Sequence, residues 1–163
     1  MAQPLKEKII GSLSAPDSHV SPAVALEDLT AAQARRRPGK RLATIWEQLA
    51  HLVFWQEFVL ETVLGGNPRP PATAEGGWPP TPPARGAANE WDGLKARFAA
   101  SLGELQRIAR KRGLGTPVGR RGKSTLGEEL LSLADHNSYH FGQIVSVRKQ
   151  LGAWPPPSGG QTW

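Results

Sequence analysis

Two segments of this chain are built alike. Thr44 with Glu47 and Thr125 with Glu128 each form a capping-box spacing, followed by apolar residues every three or four positions and closed by glycine. The spacing predicts helices over about 44–64, ending at Gly65 and Gly66, and over about 125–151, ending at Gly152. The first is about six turns long at roughly 3.6 residues per turn. A third long helix is expected over about 89–112. It opens at Asn89 with Asp92 three residues on, and Trp91, Leu94, Phe98, Leu102, Leu105 and Ile108 recur at helical spacing. The first helix, about 4–13, sets Leu5, Ile9, Ile10 and Leu13 on one side. Ser21 with Pro22 starts a short helix, and Thr30 with Gln33 caps one more turn. No stretch alternates apolar and polar residues for long between turn residues, so strands are not expected. The reading is all-α: a four-helix bundle, with short extra helices between helices 1 and 2.

Residues 65–88, "GGNPRPPATAEGGWPPTPPARGAA", make a Pro/Gly-rich connection between helices 2 and 3, far longer than the roughly four to six residues usual between elements. Trp78 in its middle favours a lid pinned to the helices over a free linker. The tail "AWPPPSGGQTW" is non-helical through its prolines, and its two tryptophans predict that 152–163 folds back on the bundle. A chain of 163 residues buries roughly 70% of its unfolded surface in one core. One domain over 1–163 is therefore expected.

There are no cysteines, which excludes disulfides, thiolate ligands and a cysteine nucleophile. Any metal must be held by His, Asp or Glu. The N-terminus has neither a long apolar run nor a small-residue cleavage site, and nothing later approaches a membrane-spanning length, so a cytoplasmic protein without membrane contact is expected. The formal charge of +6 is concentrated in "ARRRPGKR" at 34–41 and between Arg107 and Lys123. These clusters lie at helix ends or in loops, where cations favour the helix dipole and solvent. "PVGRRGKST" ends like a phosphate-binding loop, but Pro117 stands where that motif needs glycine, and no strand precedes it.

The residues that point to chemistry are histidines. Leu133, His136, His140, Ile144, Val147 and Leu151 form one stripe on the last helix, so two imidazoles share the face that looks inward. A pair at i and i+4 offers two nitrogens to one ion; a core histidine satisfied by a carbonyl or buried water is the plain alternative. His51, in the middle of helix 2 between Leu49, Leu52 and Val53, supplies a third. Three protein ligands are what a catalytic zinc site uses, leaving one position for water or substrate, and zinc or nickel suits such a donor set. His19 sits in a turn and is expected at the surface. Gln143 stands near the ligand face as a substrate-binding candidate, with packing as the alternative. Glu47, one turn before His51, is a candidate general base or imidazole-orienting carboxylate, although its capping position already explains it. Asp135 and Tyr139, off the stripe, are expected to hydrogen-bond between helices, and Trp55 to wall the pocket.

The stretches "HVSPAVALEDL", "TIWEQLAHLVFWQEFVL", "GWPP" and "LADHNSYHFGQIVSVRKQLGAWPP" resemble the DinB/YfiT-like superfamily of four-helix-bundle metal-dependent enzymes over nearly the whole chain. The resemblance implies a divalent metal held by one histidine of the second helix and two of the last, matching His51, His136 and His140. It further implies a transferase, isomerase or hydrolase-like reaction using a small thiol such as bacillithiol or mycothiol, and often a homodimer. Water or thiolate on the metal would be the nucleophile acting on a small-molecule substrate. Two other readings compete with it. One is a nucleic-acid or partner-binding module using 107–123, although no aromatic residues are interleaved there for stacking. The other is a metal that only ties helix 2 to the last helix.

Overall fold

The computed structural model describes residues 2–14, 19–40, 42–81, 86–119 and 122–160. Arg41, Arg120, Arg121 and Trp163, which figure in the basic clusters and the tail, lie outside them. The fold is predominantly helical: α1 (Ala2–Ser12), α2 (Pro22–Leu26), α3 (Ala31–Arg35), α4 (Ile45–Val63), a 3-10 turn at Ala74–Gly77, α5 (Ala87–Lys111) and α6 (Leu126–Gln150).

Side-chain caps start four of these helices. The Ser21 hydroxyl accepts from the Val24 amide, and full capping boxes form at Thr30 with Gln33, Thr44 with Glu47 and Thr125 with Glu128. Each satisfies amide donors that the first turn leaves unpaired. Helix α5 starts differently, which corrects the expectation that Asn89 caps it. The chain enters from Gly86 at φ +79°, with no side-chain cap, and Asn89 already lies inside the helix. A left-handed residue turns the chain there, and glycine alone adopts that conformation without steric cost.

A small antiparallel hairpin also corrects the expectation of no strands. Strand β1 (Pro117–Val118) pairs with β2 (Ser124–Thr125), Pro117 opposite Thr125 and Val118 opposite Ser124. Two residues per strand are too few to show a period-two pattern. The hairpin is fixed by α6, whose first amides, those of Leu126 and Gly127, donate to the Thr116 and Leu114 carbonyls at 2.9 and 2.8 Å.

Helix α4 packs on α5 and α6, and α1 packs on the same two. The core divides into two apolar clusters. One gathers Ile45, Trp46, Leu49, Trp91, Phe98, Phe141 and Ile144; the other gathers Ile10, Leu13, Leu105, Leu126 and Leu130. Ile9, Ile10 and Leu13 are buried as the α1 periodicity predicts, but Leu5, on the same side one turn earlier, is 61% exposed. The Trp91 indole N–H donates to the Leu29 carbonyl at 2.6 Å and its ring lies 5.2 Å from that of Trp46, locking the segment before α3 against α5. Arg148 is buried at the far end of α6. It donates to the carbonyls of Ala153 and Ala25, both at 2.9 Å, and its guanidinium lies 5.4 Å from the centroid of the Trp154 ring.

Helices α4 and α6 run antiparallel: Gln48 meets Gln143, His51 meets His136, and Gln56 meets Asn137. The N-terminal half of α4 and the C-terminal half of α6 thus share one cluster, their other halves the second, and a polar layer separates the two. Gln56 is fully buried in that layer. Its Nε2 donates to the Phe98 carbonyl at 2.8 Å and to Ser101 Oγ at 2.7 Å, while its Oε1 accepts from Asn137 Nδ2 at 3.2 Å. One amide therefore joins three helices. Gln56→Ala leaves the buried Asn137 amide without this partner and opens a cavity, and it is expected to cost about 2–4 kcal/mol, read from the urea unfolding curve. An unchanged midpoint would contradict the layer's structural role.

Candidate metal centre

His51, His136 and His140 come together between α4 and α6, one potential ligand nitrogen from each lying within 4.8 Å of the others. His51 and His140 are buried and His136 is half-buried. The i to i+4 spacing on α6 brings the rings of His136 and His140 to 4.6 Å, and the antiparallel packing sets His51 opposite them, at 5.0 and 4.7 Å between centroids.

The hydrogen bonds around the rings fix where their protons lie. His51 Nδ1 is 2.6 Å from the Gly77 carbonyl oxygen, and His140 Nδ1 is 2.5 Å from Gln48 Oε1. The Gly77 carbonyl only accepts, and so does Gln48 Oε1 in the orientation its amide takes, so both Nδ1 atoms carry the proton and the lone pairs are on Nε2. Such outer contacts are how ligating histidines are oriented. His136 is held otherwise. Its Nε2, 3.1 Å from His51 Nε2, donates to that lone pair, and its buried Nδ1 has no hydrogen-bond partner among the described residues.

Electrostatics keep the cluster neutral. Burial lowers His136 to about 4, with His51 adding like-charge repulsion; burial likewise lowers His140 to about 4, helped by His136 and His51 and opposed by the Gln143 amide. His51 moves the same way through burial, against the pull of the Gly77 carbonyl. Neutral imidazole is the form that ligates a metal. The 3.1 Å contact is also close to the edge of a coordination tetrahedron, about 3.3 Å for metal–nitrogen bonds of about 2.0–2.1 Å. The three-histidine cluster fits a metal site on donor type, neutrality and spacing. Among the described residues no fourth His, Asp or Glu joins the group.

The Pro/Gly-rich connection covers the cluster. Trp78 stacks on His51 with centroids 4.0 Å apart and planes 13° apart, and its edge meets His140 at 5.6 Å. Trp55 stands edge-on to His51 at 6.4 Å, and the backbone of Gly77 passes against its indole. A Cβ on Gly77 would lie 2.9 Å from Trp55 Nε1 and 3.3 Å from two ring carbons. Only glycine brings its carbonyl to His51 by this route.

The remaining candidates fall outside the ring of nitrogens. Glu47 is committed to the capping box, accepting from the Thr44 amide at 2.8 Å, and to an ion pair with Arg37 at 2.5 Å; backbone and side-chain hydrogen bonds together with the Arg37 charge outweigh burial and hold its carboxyl low. Gln143 accepts from Gln48 Nε2 at 2.6 Å and lines a groove that reaches His140. His19 is half-buried rather than at the surface: its Nε2 lies 2.9 Å from Ser138 Oγ, so it docks on α6 without joining the three clustered histidines. Asp135 and Tyr139 make no inter-helix hydrogen bond among the described residues; both are exposed, Tyr139 by 66%, with its ring edge against His140. In the basic segment Arg107 pairs with Glu104 and Arg112 donates to the Val63 carbonyl. Gln48 and the Gly77 carbonyl are absent from the sequence-based set. Gln48 stands one turn before His51, and that periodicity is the signal that finds it; a backbone carbonyl leaves no residue type to read.

A predominantly helical protein with three inward histidines on two antiparallel helices defines a class of candidate metal-binding helical proteins. The DinB superfamily model matches residues 23–144, more than half of the chain, and the chain belongs to that superfamily. No curated protein and no solved structure shows a significant match to it. No helix among the described residues is long and apolar enough to cross a membrane.

The loop contact generates a prediction. Gly77→Ala pushes the connection off the Trp55 ring and breaks the His51 bond, costing about 1–2 kcal/mol. Amide hydrogen exchange over 74–80 is expected to accelerate while α4 and α6 keep their protection. Unchanged exchange in that loop would contradict the contact.

Proposed function

We propose that this chain is a divalent-metal-dependent enzyme in which His51, His136 and His140 hold one ion, zinc or nickel, and that it acts as a low-molecular-weight-thiol S-transferase or a related isomerase or hydrolase. The observation that supports this most is the set of three neutral imidazoles, two of them with their Nδ1 protons engaged by oxygen acceptors, meeting within 4.8 Å. The proposal includes the family's four-helix bundle as one domain over 1–163, a bacillithiol- or mycothiol-like cosubstrate, a small-molecule electrophile and a cytoplasmic homodimer.

An ion bound there supplies Lewis acidity, lowering the pKa of a thiol or water that takes its open position. The chain's own groups do the rest. The Gly77 carbonyl and Gln48 orient two of the imidazoles, and Trp78 excludes water from the His51 face. The absence of cysteine agrees with an external thiol, since an internal thiolate would compete for the open position. With no fourth His, Asp or Glu joining the three among the described residues, a catalytic ion is favoured over a structural one.

Elemental analysis tests the reading, comparing the purified protein with His136→Ala after dialysis without chelator. About one metal per chain is expected, lost in the variant with little change in helical circular dichroism, because His136 is held only through the cluster. Metal-dependent consumption of thiol with 1-chloro-2,4-dinitrobenzene should disappear with it. Stoichiometric metal retained in His136→Ala would sink the site.

A further inference from the structure

A groove of about 520 Å³ opens beside His140, between the start of α4, the outer face of α6 and Trp78. Its walls are of two kinds. Leu42, Trp78, Tyr139 and Val147 give apolar and aromatic surface, with Leu42 46% and Tyr139 66% exposed, and Gln143 and Ser146 give neutral hydrogen-bonding groups. No charged side chain lines it among the described residues. Two large apolar side chains left in water at the mouth of one groove are unusual for surface positions and suit a surface that a ligand covers.

The polarity of the groove follows from the chain of amides behind it. His140 Nδ1–H donates to Gln48 Oε1, which leaves the Gln48 Nε2 hydrogens to donate to Gln143 Oε1. Both bonds are short, 2.5 and 2.6 Å, and Gln48 is buried; reversing the relay takes both amides turned end for end and the other tautomer of His140. Gln143 Oε1 is thereby occupied. Its Nε2 hydrogens have no acceptor among the described residues, and the groove is the space beside them. The direction of the relay rests on the metal reading, because ligation through His140 Nε2 requires the proton on Nδ1.

We infer that this groove binds an uncharged small molecule with a carbonyl-type oxygen next to an aromatic or aliphatic body, the oxygen accepting from Gln143 Nε2 and the body lying between Trp78, Tyr139 and Leu42. Gln143 is then the residue that selects an acceptor-bearing substrate and holds it beside the histidine centre. A ligand presenting only donors, or an anion, would find no partner in the lining described.

The test uses the zinc-loaded full chain in amide proton–nitrogen spectra, in which the side-chain NH2 pair of Gln143 is visible and is assigned by its loss in Gln143→Leu. Acetophenone and ethylbenzene are the probes; they differ by a carbonyl in place of a methylene. Acetophenone is expected to shift the Gln143 pair and the Trp78 indole signal saturably, with a Kd about 3- to 10-fold below that of ethylbenzene, the size of one neutral hydrogen bond. The advantage should vanish in Gln143→Leu while ethylbenzene binding persists. Gln143→Glu still accepts from Gln48 but offers no N–H, and it should lose the ketone preference as well, which guards against a folding defect in the first variant. The inference is overturned by a ketone preference that survives both substitutions, by shifts confined to residues away from the groove, by no binding of either probe, or by benzoate binding tighter than acetophenone. Zinc content, measured on the same samples, separates the two readings. Absence of zinc uptake refutes the metal site, whereas full zinc with an unaltered ketone preference in the variants refutes only the groove assignment.

Discussion

A neutral imidazole has one proton, and the site depends on where that proton is spent. In His51 and His140 it goes outward from Nδ1 to the Gly77 carbonyl and to Gln48 Oε1, so both Nε2 lone pairs turn into the gap between α4 and α6. The His51 lone pair accepts from His136 Nε2 at 3.1 Å, and charging the rings is opposed by burial. The arrangement is held from outside, by the apolar clusters that clamp the two helices on either side of the polar layer. A shared cation would take the place of the His136 proton between the rings.

From this follows the division of labour among the elements. The antiparallel register of α4 and α6 sets which residues meet, and Gln56 with Asn137 holds that register within the layer by joining α4 to α6 and α5. The Pro/Gly-rich connection adds what the helices lack, a carbonyl at Gly77 and a stacked ring at Trp78. A helix has few free carbonyls to offer a neighbour, because its own amides take them. An irregular loop packed on the helix face supplies one. His136 is the ring with no oxygen contact, which makes it the member of the set able to adjust as a ligand enters.

Much of this can be read from residue type and spacing, and the failures have physical reasons. Thr44 with Glu47 and Thr125 with Glu128 mark the starts of α4 and α6 because a capping box is local and needs nothing from the rest of the fold. His51, His136 and His140 are found by periodicity, since an inward stripe on each of two helices must meet in one core. Asn89 misleads because a capping side chain is dispensable where glycine turns the chain, as at Gly86. The hairpin at 117–118 and 124–125 is hidden because its stability comes from α6 rather than from its own alternation. His19 and Leu5 show the limit of local reading: whether a turn docks onto α6, or the first apolar residue of a stripe finds a neighbour to cover it, is decided by tertiary packing.

The central claim is that three imidazoles hold one ion with a position open to a thiol, and X-ray absorption at the zinc edge tests it most directly. The zinc-loaded protein is predicted to give about four nitrogen- or oxygen-type scatterers at about 2.0–2.2 Å, with the imidazole outer-shell pattern, and adding a small thiol should replace one of them with a sulfur at about 2.3 Å. A shell already closed by a fourth protein ligand and unchanged by thiol would contradict the account.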